Sequence, residues 1–255
     1  MNPTIIQRRQ LQQKLWKLVQ PDHVHNYFGE NDMKRAYLQE LGYSLPIDRY
    51  TTPVLFHHFN SVKERLRMHE DVFFCVDNRV HIGASSISSE HKQFPSIVSL
   101  SSGAVNTLND GELDFIVGHE LGHIIMHSGL VKYYYKTYDK DPTPELDYLY
   151  HVFALLTELE ADRYGYLACG SLEAYISCQY KVYGGLDQHK FGVPTTLFLE
   201  ANRRIVEMFL PECWIGNEHP VNALRIEAIH IFATSKSSQE LEIRMQPIIR
   251  SIYKQ

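Results

Sequence analysis

His119, Glu120 and His123 form the pattern H-E-x-x-H within LDFIVGHELGHIIMH, residues 113–127. On a helix, side chains at i and i+4 share a face with Cβ atoms ~5–6 Å apart, so both imidazoles can reach one metal ion. Zinc suits such a pair, and the glutamate between them is placed to take a proton from water. Leu113, Val117, Leu121 and Ile124 fall on one face, and Phe115, Ile116, Ile125 and Met126 cover most of the rest. That pattern describes a buried core helix. Polar groups buried there are costly unless paired or metal-bound. A pattern with three fixed positions also arises by chance, so a metal site needs a third ligand.

A second helix offers one. Thr143-Pro144-Glu145 reads as a helix start, with a cap, a proline at the first position and an acidic residue next. The helix is expected to run to about Cys169 and to end at Gly170. It carries ELEADRYG, residues 158–165, in which Glu158 and Asp162 stand one turn apart on one face. Ala154, Ala161 and Gly165 lie close to the same direction, which lets another helix approach closely there. His151 projects that way two turns earlier. At ~100° per residue, Glu160 points about 200° away from Glu158 and faces the opposite side.

The two helices need a scaffold, and the rest of the chain supplies it. A length of 255 residues allows one large domain or two small ones with ample core. The net charge of −5, with no basic run longer than Arg8-Arg9 or Arg203-Arg204, argues against a nucleic-acid partner. Cys75, Cys169, Cys178 and Cys213 are widely spaced with no C-x-x-C, so neither a disulfide framework nor a cysteine zinc site is expected. The opening MNPTIIQRRQ lacks the apolar core of a signal peptide, and no stretch approaches a membrane-spanning length. The expectation is a cytoplasmic protein with no transmembrane segment.

Helices are expected at 4–20, ended by Pro21, and from Asn31 or Asp32 to Leu41, stopped by Gly42. Residues 54–59 read as a weak strand and 61–70 as a charged helix capped by Asn60 or Ser61. Residues 71–84 read as β-structure with a turn at Asp77-Asn78, 85–95 as polar loop, and 96–101 as a strand. Asn109 and Asp110 are cap candidates for the H-E-x-x-H helix. Residues 129–143 lack a steady period and read as a surface excursion that could lie over a cleft. Further helices are expected at 172–183 behind Ser171, from Pro194 to about Phe209, from His219-Pro220 through Phe232, and at about 238–253 around Pro247. The expected fold is α+β and predominantly helical, with a small sheet over the H-E-x-x-H helix whose edge strand pairs with an extended peptide. Residues 1–60 are set apart as an N-terminal helical region, and 61–255 as the main domain.

GHELGHIIMH, ELEADRYG and EHPVNALRIEAI resemble the three signature blocks of the HtpX, CAAX prenyl protease and BepA-like zinc metallopeptidases. The resemblance covers roughly residues 71–232. It implies a zincin-like metallopeptidase fold and one zinc ion per chain held by His119, His123 and Glu158. It further implies that Glu120 is the general base, that Asp162 supports a ligand histidine from behind, and that His219 and Arg225 stand at the cleft as catalytic residues. The implied substrate is a polypeptide. Many members carry transmembrane segments or a secretion signal, and where many have an Asn-Ala-Phe tract this chain has His81-Ile82-Gly83-Ala84-Ser85-Ser86.

Two other readings compete. ImmA/IrrE-like regulatory proteases also join H-E-x-x-H to a later glutamate, but the aspartate of ELEAD and the downstream His-Pro block favour the first family. A non-catalytic zinc protein would bind a partner in its groove, and would have no use for a glutamate that binds no metal.

Overall fold

The computed structural model describes residues 3–19, 30–89, 93–129, 131–132, 135, 143–210, 212–214 and 219–252. Most of the 129–143 excursion, and residues 215–218 before the His-Pro block, lie outside the described residues. The elements in chain order are α1 (Pro3–Val19), α2 (Glu30–Tyr43), β1 (Ser44–Pro46), α3 (Pro53–Arg65), β2 (Val72–Asp77), β3 (Ala84–Ile87), β4 (Ser96–Ser101), α4 (Ser102–Thr107) and α5 (Asp110–Ile125). They continue as α6 (Pro144–Cys169), α7 (Leu172–Gly184), α8 (Gln188–Phe191), α9 (Thr195–Phe209), α10 (Asn222–Thr234) and α11 (Ser238–Ile252), with a 3-10 turn at Glu212–Trp214. The class is α+β and mostly helical, with one small mixed sheet among the described residues.

The chain divides into two compact units, Gln20–Leu130 with Tyr164–Asp187, and Met1–Val19 with Val131–Arg163 and Gln188–Gln255. The first holds the four-stranded sheet, in the order β1-β2-β4-β3. β2 and β4 are parallel, while β1 on β2 and β3 on β4 are antiparallel. Every residue of β4 is buried, as befits a central strand covered on both faces. β3 forms one edge of the sheet, and both β3 and β4 pack against α5.

The sequence around α5 explains why the helix starts where it does. Asn109 Oδ1 accepts from the Glu112 amide at 3.0 Å, and Glu112 Oε2 accepts from the Asn109 amide at 2.9 Å. This reciprocal pair satisfies two amides that a helix start leaves without partners. Glu112 is fully buried, and Lys181 Nζ at 2.8 Å and the Ser177 hydroxyl complete its shell. Pinning α7 to α5 in this way prevents the burial of a bare charge.

Glycines set how closely the last turns of α6 approach α5. A Cβ on Gly118 would stand 2.4 Å from the Ala168 Cβ, one on Gly122 would stand 2.8 Å from the Tyr164 Cβ, and one on Gly165 would meet Phe115 at 2.7 Å. Of the small residues expected to admit another helix, Gly165 meets Phe115 in this way, and Ala168, beyond ELEADRYG, lies against Gly118. α6 begins as the sequence implies, with Thr143 Oγ1 accepting from the Leu146 amide at 3.2 Å, and Gly170 in a left-handed conformation at φ 64° follows its end.

In the second unit α1 packs against α11 and buries Leu11 and Leu15, and α9 packs against α10. α10 is buried along most of its length, from Ala223 to Ile231.

Three local expectations are corrected. Residues 54–59 are not a strand, because Pro53 opens α3 and the buried Phe59 and Val62 follow helical spacing. The supposed caps Asn60 and Ser61 lie inside that helix and donate back to the carbonyls of Phe56 at 2.8 Å and His58 at 2.7 Å. The polar tract after residue 84 is not all loop. Ala84–Ile87 pairs along β4, a strand buried throughout, with Ser85 opposite Ser99 and Ser86 opposite Val98. β1 and α8 are short elements beyond those expected.

Candidate metal centre

α5 presents His119 and His123 one turn apart, and their Nε2 atoms stand 3.2 Å from each other. Two nitrogens on a tetrahedral zinc ion at ~2.0–2.1 Å would be ~3.3 Å apart. Behind the pair, His123 Nδ1 lies 3.0 Å from the Ser128 hydroxyl, and that hydroxyl also donates to the His123 carbonyl at 3.2 Å. Such an arrangement fixes the ring so that Nε2 faces the prospective ion. His127, with φ 50°, begins the turn that brings Ser128 back towards the helix.

Glu158 completes the set. The ligand atoms of His119, His123 and Glu158 all lie within 4.8 Å of one another, and no other such group occurs among the described residues. His151 is not part of it. Two imidazoles and one carboxylate are a donor set that zinc accepts, and three protein ligands leave a coordination position open. The residues present therefore fit the ion.

On α6 the three acidic residues of ELEAD diverge as helix phase requires. Glu160 is 1% exposed, accepts from the Thr4 hydroxyl of α1 and pairs with Arg163 Nε at 3.0 Å. Glu158 Oε2 lies 2.9 Å from His219 Nδ1 and 3.8 Å from Arg225 Nη2. Asp162 is fully buried and takes a two-point fork from Arg225, Nε to Oδ2 at 2.7 Å and Nη2 to Oδ1 at 2.6 Å. Arg225 is itself buried, whereas the His219 side chain is 58% exposed. α10 and the His-Pro turn before it thus bring one guanidinium and one imidazole to the acidic face of α6.

Glu120 is buried, and its Oε2 accepts from the Ser86 hydroxyl of β3 at 2.7 Å. Sequence reasoning missed Ser86. A serine in a polar tract carries no signal until the strand that holds it is known. The Arg225–Asp162 fork was equally silent, since the partners lie 63 residues apart.

Three of the four cysteines are held in the thiol form by burial. Burial pushes the Cys75 thiol up to about 11 and raises Cys169 and Cys213 as well.

No family model, no curated protein and no solved structure matches the chain. No helix among the described residues is long and apolar enough to cross a membrane.

Proposed function

We propose that this chain is a zinc-dependent endopeptidase of the zincin kind, with His119, His123 and Glu158 as ligands and Glu120 as general base. The observation that carries the reading is the convergence of the three ligand atoms within 4.8 Å, with Glu120 on the same helix turn as the histidine pair. Three protein ligands leave a coordination position open, as catalytic zinc sites do, and Glu120 adds a carboxylate beside them that is not one of the ligands. The pairing of Arg225 with Asp162 adds support, because it joins the second and third sequence blocks of the HtpX and CAAX protease resemblance in one contact.

When bound, zinc supplies Lewis-acid chemistry, polarising a carbonyl and easing the deprotonation of water near neutral pH. Glu120 takes the proton of the attacking water and then delivers one to the leaving amine. His219, with Nδ1 turned to Glu158, has Nε2 left to meet the carbonyl oxygen as negative charge develops there. Arg225 acts as a positioning residue: it holds Asp162 and lies near Glu158, which keeps the carboxylate face of α6 in register. Asp162 in turn supports a ligand histidine from behind. β3 is an edge strand beside α5, so an extended polypeptide that adds to this edge would be carried past the catalytic turn.

The test is cleavage of casein or a quenched peptide by zinc-loaded protein, with and without chelator, beside the Glu120→Gln variant. The proposal expects chelator-sensitive cleavage, and loss of most of it in a variant that keeps its zinc. A Glu120→Gln protein that still cleaves at the wild-type rate would overturn the assignment. Zinc-loaded wild type with no hydrolytic activity would instead leave a zinc protein that binds without cutting.

A further inference from the structure

Seven acidic side chains are buried among the described residues: Glu112, Asp114, Glu120, Glu158, Glu160, Asp162 and Glu227. Six of them face a basic group. Lys181 meets Glu112, Arg65 and His58 meet Asp114, His219 and Arg225 meet Glu158, Arg163 meets Glu160, Arg225 meets Asp162, and His230 meets Glu227. Glu120 is the exception. Its hydrogen-bond donor is the neutral hydroxyl of Ser86, 2.7 Å from Oε2.

The difference has a chemical consequence. A buried carboxylate needs a donor, because leaving it without one is expensive. Among the buried carboxylates, Glu120 meets that need through a serine hydroxyl on the neighbouring edge strand. A hydroxyl orients the group and adds no formal charge. It also engages one oxygen only, so Oε1 is left to exchange a proton.

The placement of the hydroxyl is equally specific. Ser86 lies opposite Val98 in the antiparallel β3–β4 pair, and residues two apart on a strand share a face. Ala84 is therefore on the same face as Ser86, while the exposed Ser85 is on the other. The hydroxyl belongs to the edge strand and the base belongs to the helix, so the hydrogen bond ties the orientation of Glu120 to the position of β3.

We propose that Ser86 is a positioning residue for the general base, holding Glu120 Oε2 from the edge strand so that Oε1 is presented for proton transfer. The inference rests on the peptidase reading and deepens it. Ser86→Ala should lower kcat on the order of tenfold, the scale of one charge-assisted hydrogen bond acting on orientation. KM, zinc content and thermal unfolding should be little changed. Ser86→Thr, which keeps the hydroxyl, should recover most of the rate, whereas a role in packing alone would be served as well by alanine. A second readout avoids activity altogether: in metal-free protein, the side-chain carboxyl carbon of Glu120, observed by carbon-13 NMR, should shift in Ser86→Ala and return towards the wild-type position in Ser86→Thr.

If wild-type protein cleaves peptides and Ser86→Ala matches it in kcat, the inference is overturned while the peptidase reading stands. An unchanged Glu120 carboxyl signal in Ser86→Ala would overturn it as well. If wild type cleaves nothing, the peptidase reading falls and the positioning role falls with it.

Discussion

Arg225 on α10 and Asp162 on α6 form a two-point ion pair in the interior, with both N–O distances under 3 Å and the aspartate inaccessible to solvent. Removing one member of such a pair leaves the other as a buried bare charge, which costs about 3–5 kcal/mol. Arg225→Ala should therefore lower the free energy of unfolding in urea by that amount. Arg225→Lys should recover little, because an ammonium cannot reproduce the planar fork. A lysine variant as stable as wild type would show that charge alone matters at this position.

The approach of α6 to α5 depends on residues without side chains. Gly118→Ala would place a methyl 2.4 Å from the Ala168 Cβ, so one of the two backbones must move. Overpacking of this kind costs about 1–3 kcal/mol. Since His119 adjoins Gly118, the displacement should also weaken zinc binding. Urea denaturation and metal titration of the variant check both effects, and an unaltered affinity would mean that the metal ligands do not depend on this contact.

His58 reaches Asp114 from α3, Nε2 to Oδ1 at 2.9 Å, and Arg65 Nη2 meets the same oxygen at 2.6 Å. The hydrogen bond to Asp114 raises the His58 pKa above its ordinary 6.5. A proton bound more tightly in the folded state stabilises that state. The contribution is complete below pH 6.5, the unfolded value, and is lost as pH rises through the higher folded value. His58→Gln should therefore destabilise the protein more in mild acid than well above neutrality. Unfolding curves across that range test the sign, and a larger loss on the alkaline side would contradict it.

Legibility differed sharply between elements. The histidine helix could be read because its determinants are local: Asn109 and Glu112 close a reciprocal cap three residues apart, and an apolar run follows. The phase of ELEAD was equally legible, since helix geometry alone turns Glu160 away from Glu158, and the structure gives these residues separate partners. α3 was obscured because Asn60 and Ser61 look like caps but bond backwards within the helix. β3 was hidden because an edge strand of alanine and serines takes its conformation from β4 rather than from its own pattern. The partners of Asp162 and Glu120, Arg225 and Ser86, come from distant segments and become visible only once the chain is folded.

The central claim is that Glu158, and not its neighbour on the far side of the helix, completes a zinc site with His119 and His123. Titration of zinc into metal-stripped wild type, Glu158→Ala and Glu160→Ala tests it most directly. Wild type should bind one zinc per chain, and Glu158→Ala should show no stoichiometric binding. Glu160→Ala should retain the site, although losing the partner of Thr4 and Arg163 should cost it stability. Stoichiometric zinc in Glu158→Ala, with binding lost in a folded Glu160→Ala, would contradict the account.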